Sequence, residues 1–171
     1  MSERHGKPTL ANRTGRATAS DSVMTPPDLA KRIIQCLQPT GLCLDPCRGQ
    51  GAFYNAMPSR KYWCEITEGR DFFHWKKQVN WIITNPPYSI YDRFLQKCFD
   101  VSNNVALLVP LAKAFKSLQV ERMVEQYGGL RLIWLIGSGT KCGFAFGFPT
   151  GVLWYQKGWQ GSIDRMVSKD V

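Results

Sequence analysis

Asparagine, two prolines and a tyrosine, Asn85-Pro86-Pro87-Tyr88, close the apolar run Val79-Asn80-Trp81-Ile82-Ile83-Thr84. The run is short, β-branched and aromatic, which predicts a buried parallel strand. The prolines fix φ and hold Asn85 extended, so its side-chain carbonyl and the Pro86 main-chain carbonyl can both leave the strand's carboxyl end. Two acceptors side by side suit an amino group. Taken alone, the tetrapeptide reads either as a catalytic loop or as a stiff turn after a core strand.

Three segments upstream bear on that choice. Leu42-Cys43-Leu44 predicts a short strand running into Asp45-Pro46-Cys47-Arg48-Gly49-Gln50-Gly51-Ala52-Phe53, a turn whose glycines let a ligand approach the backbone. Two glycines in a strand-to-helix turn are also ordinary punctuation. Lys61-Tyr62-Trp63-Cys64-Glu65 predicts a second strand, with an acid about 20 residues beyond Asp45, the position of a ribose-binding carboxylate. Its alternative is a surface glutamate at a strand end. Asp71-Phe72 reads either as a carboxylate and ring for an adenine or as loop and core residues.

The elements that position these residues alternate. Asp21 or Ser22 opens a segment in which Pro26 and Pro27 suit a first helical turn, and the helix ends near Gln38, before Pro39-Thr40-Gly41. A short helix ends near Pro58, and the interval from Glu68 to Trp75 is too short for a full helix and strand. Further helices are expected over residues 91–99 and, as one amphipathic helix, 113–127. Strands are expected over residues 105–111, 130–136 and 151–155, the last two forming an antiparallel edge pair. Alternation of this kind predicts a mostly parallel, doubly wound α/β sheet, reduced on the Glu65 side. Between the last two strands, residues 139–150 form a glycine-rich loop with three phenylalanines. It reads as a clamp for a flat base, with Phe148 the exposed ring, or as a hairpin folded back on the core. Residues 1–20 are expected as a flexible basic arm, DNA-contacting or idle, residues 21–158 as one domain, and residues 159–171 as a polar tail.

The chain has 171 residues and 22 Lys and Arg against 13 Asp and Glu, a formal charge of +9 that favours a polyanionic partner, nucleic acid first. A basic surface serving only solubility is the alternative. The six cysteines show no C-x-x-C pairing and are expected as reduced thiols. With two histidines, His5 and His74, a histidine-rich metal site is excluded, and no metal is expected. No signal peptide is recognisable and no apolar run approaches the roughly 20 residues of a membrane helix, so an intracellular, cytoplasmic or nucleoid-associated location is expected.

Thr25-Pro26, Asp45-Pro46-x-x-Gly49-x-Gly51-x-Phe53, Glu65, Asp71-Phe72 and Asn85-Pro86-Pro87-Tyr88 together resemble the S-adenosylmethionine-dependent amino-methyltransferases, especially the DNA adenine-N6 enzymes in the motif order called gamma. The resemblance covers residues 22–158 and implies a Rossmann-like methyltransferase fold with S-adenosylmethionine as cofactor. It implies that Gly49 and Gly51 approach the cofactor's methionine part, Glu65 binds its ribose, Asp71 and Phe72 hold its adenine, and Thr25-Pro26 seats its carboxylate. Asp45, with Pro46 and Phe53 in the same motif, faces the ammonium group or orders the loop. Asn85 and the Pro86 carbonyl, stiffened by Pro87, would accept hydrogen bonds from the target amino group, with Tyr88 and Phe148 stacking on a flipped base. Cytosine-C5 methyltransferases use a Pro-Cys nucleophile, but Pro46-Cys47 sits inside the glycine loop, facing the cofactor rather than a base, and that chemistry is rejected. RNA base methylation, glutamine-amide methylation and a silent nucleic-acid-binding subunit remain the alternatives. No large recognition domain follows the last expected strand, so the expectation is either limited sequence specificity, with few bases read through short loops and the basic surface, or readout added by a homodimer or a separate specificity subunit.

Overall fold

The computed structural model describes residues 23–145 and 147–168; the expected arm, Asp21, Ser22 and Phe146 lie outside them. Helix α1, Pro27–Leu37, carries proline at its start, where a missing N–H leaves no bond unmade. Leu29, Ala30, Ile33, Ile34 and Leu37 form its buried face, and Gln38 ends it in the left-handed conformation, donating its N–H to the Ile34 carbonyl.

Strands β1 (Cys43–Asp45), β2 (Lys61–Trp63), β3 (Val79–Thr84), β4 (Ser102–Pro110), β5 (Gly128–Ser138), β6 (Pro149–Lys157) and β7 (Asp164–Val167) build one sheet in the order β2-β1-β3-β4-β6-β5-β7. The pairs β1–β2, β1–β3, β3–β4 and β5–β7 are parallel, while β6 runs against both β4 and β5. Alternate residues of β3 face opposite cores, as strand periodicity requires. Ile82 joins the cluster beneath α3 (Tyr91–Val101), with Phe94, Leu95 and Phe99. Ile83 joins the cluster beneath α1 and the short α2 (Ala52–Ala56), with Ile33 and Leu108. The sheet is thus covered on both faces, the doubly wound α/β arrangement of a Rossmann-like methyltransferase fold.

Between β2 and β3 the chain forms only two 3-10 turns, Ile66–Glu68 and Phe72–His74, which leaves β2 at the edge and the sheet reduced on that side. Two expectations need correction. The single helix over residues 113–127 is two, α4 (Leu111–Ala114) and α5 (Leu118–Tyr127), because the Ser117 side chain accepts from the Val120 N–H and starts a new helix. The polar tail contains β7, whose residues pair with Leu132–Leu135 and extend the sheet beyond the β5–β6 pair. Its start is packed as well: Arg131 contacts the rings of both Trp154 and Trp159. Four of the six cysteines are buried and all six are free thiols. No helix among the described residues is long and apolar enough to cross a membrane.

Candidate active site

Register brings the site together. Cys43 and Leu44 of β1 lie opposite Trp81 and Ile82 of β3, so the loops leaving the two carboxyl ends are neighbours. Ligands of open α/β sheets bind at that end. Asp45, 1% exposed, staples this corner. Its Oδ1 accepts from the Thr84 hydroxyl at 2.8 Å and the Cys47 N–H at 3.3 Å, and its Oδ2 accepts from the Tyr54 N–H at 3.1 Å. Of its two expected roles, the geometry displays loop ordering. Burial pushes its pKa up to about 7, against the pull of the three donors. Pro46 is buried beside it, and Phe53 packs into the core under α1.

Gly49 (φ +51°) and Gly51 (φ +89°) both occupy the region that L side chains avoid, so the turn requires glycine at each. The Gly49 N–H donates to Glu65 Oε2 at 2.8 Å, while Glu65 Oε1 accepts from the Thr67 N–H and hydroxyl at 3.2 and 2.9 Å. Partial burial alone would raise the Glu65 pKa, but these hydrogen bonds and the Arg48 charge outweigh it and hold the carboxyl below its ordinary range. Arg48 pairs with Glu68, and Arg48 and Arg70 both contact the Trp63 ring. Burial pushes the Cys47 thiol well above its ordinary value, which disfavours the thiolate a Pro-Cys nucleophile needs.

Asp71 caps its own turn, accepting from the Phe73 N–H at 2.9 Å. Phe72, 4% exposed, points into the core against Phe94, with ring centroids 5.0 Å apart. Of its two readings, Phe72 here displays the core placement, while the adjacent Phe73 is half-buried, with Arg93 over its ring at 4.2 Å.

Asn85 is held from two sides. Its Nδ2 donates to the Val23 carbonyl at 2.9 Å and to Thr25 Oγ1 at 3.3 Å, and its Oδ1 accepts from the Tyr88 hydroxyl at 2.7 Å. Because a main-chain carbonyl only accepts, the Val23 contact fixes which side of the amide carries the nitrogen and directs the oxygen toward Tyr88. Pro86 is buried, and Pro87 leads into the 3-10 turn Tyr88–Ile90. One cleft is lined by Met24, Thr25, Arg48, Gly49, Phe53 and Asn85 together. Pro26 stands against the loop between β5 and β6, where a Cβ on Gly143 would lie 2.9 Å from its ring. That loop buries Cys142 and Phe144 and leaves Phe148 64% exposed.

Sequence reasoning did not anticipate Val23, Met24, Arg48, Thr84 or the Thr25–Asn85 bond. Asp45 and Thr84 are 39 residues apart, and Asn85 and Val23 are 62 apart, separations no local pattern reports.

No protein-family model and no curated sequence matches the chain. Solved structures do. One assigned as a class I S-adenosylmethionine-dependent methyltransferase of Listeria monocytogenes matches with a TM-score of 0.72 and 12% identity, over 92% of this chain and 69% of that one. A modification subunit assigned to a type I restriction enzyme of Vibrio vulnificus matches with a TM-score of 0.62 and 16% identity, over 87% of this chain and 46% of that one. The type I restriction enzyme EcoKI M protein matches with a TM-score of 0.61 and 17% identity, over 78% of this chain and 44% of that one. The fold is thus the one found in class I methyltransferases, and the matched region is under half the length of the two restriction subunits.

Proposed function

We propose that the chain transfers a methyl group from S-adenosylmethionine to the exocyclic N6 of adenine in DNA. The observation that carries the reading is the shared cleft, in which Asn85, gripped through Thr25 and Val23, stands across from the Gly49 turn that Glu65 holds. The residues suit the cofactor: two glycines at positive φ permit close approach, and Glu65, with three of about four acceptor sites occupied, keeps one for a hydroxyl. When bound, S-adenosylmethionine supplies an electrophilic methyl on a sulfonium.

The protein's share is position and electrostatics. Asn85 Oδ1 and the Pro86 carbonyl accept hydrogen bonds from the adenine amino group, aim its lone pair at the cleft and stabilise positive charge growing on nitrogen. The Tyr88 hydroxyl, which occupies Asn85 Oδ1 in the structure, is displaced by that amino group and its ring stacks on the extruded base. The basic charge supplies attraction to DNA, and a second copy or a specificity subunit adds sequence readout.

Asn85→Ala tests this reading. Transfer should fall by about 10²–10³-fold, the range seen when one preorganised polar group is removed. Cofactor affinity by titration calorimetry should stay within about threefold, well under one tenfold step of 1.4 kcal/mol. Full turnover in that variant contradicts the mechanism.

A further inference from the structure

Resting on that function, we propose that the tip between α4 and α5 is a wedge that seats the DNA strand carrying the target base. Phe115 and Leu118 are 51% and 75% exposed, two large apolar side chains within four residues. The tip is built rather than loose: Ala114 is buried on one side of it, and Ser117 caps α5 on the other. It issues from the carboxyl end of β4, the strand paired with β3 through Thr84 opposite Leu107. Lys116 Nζ lies 2.9 Å from Asp92 Oδ1 and fastens the tip to the first turn of α3, close behind Tyr88. The wedge and the catalytic loop therefore share one rim.

Charge and chemistry select the occupant. Lys113 stands two residues before Phe115, Lys116 and Asp92 neutralise each other, and the whole chain is at +9. Phenylalanine and leucine are among the side chains that enter base steps, where they replace the stacking an extruded base gives up, while a neighbouring lysine such as Lys113 meets a phosphate. The partner is duplex DNA opened at the step beside the target adenine.

The test uses the full chain and fluorescein-labelled duplex and single-stranded oligonucleotides in anisotropy titrations. Phe115→Ser/Leu118→Ser should weaken duplex binding about tenfold or more, as loss of base stacking does, with the unfolding midpoint and S-adenosylmethionine affinity unchanged. Lys113→Gln should lower the salt slope of binding by about one. Duplex binding unchanged in the double variant, or an unmodified chain that does not bind DNA, overturns the proposal. Binding needs no methyl transfer, so the two readings fail separately. Wedge-dependent binding without N6-methyladenine defeats the proposed function alone, and N6-methyladenine with wedge-independent binding defeats the wedge alone.

Discussion

The loops that follow β1 and β3 close on themselves, whereas those that follow β4 and β5 turn apolar side chains toward solvent. In the first pair, Asp45 and Asn85 both have their side chains engaged by hydrogen bonds within the chain. In the second pair, Phe115, Leu118 and Phe148 are among the most exposed large apolar residues described. A site that must hold a cofactor and one nitrogen needs its polar groups set in place beforehand, because reorganisation during reaction raises the barrier. A surface that receives a long, variable polymer needs side chains able to enter it. Under the proposed function, preorganisation belongs to β1 and β3 and recognition to β4 and β5.

The strongest way to break the contrast is to loosen the preorganised side. Asp45→Ala leaves the Thr84 hydroxyl and the Cys47 and Tyr54 N–H groups without their acceptor. At roughly 1–3 kcal/mol for a buried unpaired group, the loss should be on the order of 3 kcal/mol in urea unfolding, with cofactor binding lost alongside it. Unaltered stability would show that Asp45 is not the staple.

A smaller effect comes from pH. The folded-state pKa of Asp45 is raised from 3.8 to about 7, so between those values the folded chain binds the extra proton. Its contribution to stability is therefore fully present below about pH 4 and is lost as pH rises through about 7. Glu65 runs the other way: its lowered pKa gives a contribution present above its ordinary value of 4.5 and lost on further acidification. Unfolding free energies measured from pH 5 to pH 8 should carry a downward component that Asp45→Asn removes.

The smallest effect sharpens the boundary between the two regions. Tyr88→Phe removes the hydroxyl that occupies Asn85 Oδ1 but keeps the ring. One net hydrogen bond of about 1 kcal/mol is at stake, so turnover should change by no more than about fivefold, with the KM for DNA level or lower. A collapse of turnover in that variant would assign the hydroxyl a direct part in the reaction.

The preorganised side was largely legible in the sequence because its signals are local. A strand, a turn that needs glycine, an acid at the next strand's end and two prolines after an asparagine each lie within a few residues. Ser117 was legible as a helix start too, since serine before a helical run is a capping signal, although the apolar spacing across residues 113–127 masked it. The rest was settled by tertiary structure. Which of Phe72 and Phe73 faces inward depends on a turn set by the Asp71 cap. Strand β7 is exposed along its length, so no burial period marks it, and it forms because β5 offers an open edge.

The measurement that bears most directly on the chemistry is a competition. The purified chain is incubated with labelled S-adenosylmethionine and equal amounts of unmethylated duplex DNA, RNA and a glutamine-containing peptide, followed by nucleoside and amino-acid analysis. The expected result is label in DNA as N6-methyladenine, reduced about 10²–10³-fold by Asn85→Ala. Label confined to RNA or to the peptide, or full transfer in the variant, would contradict it.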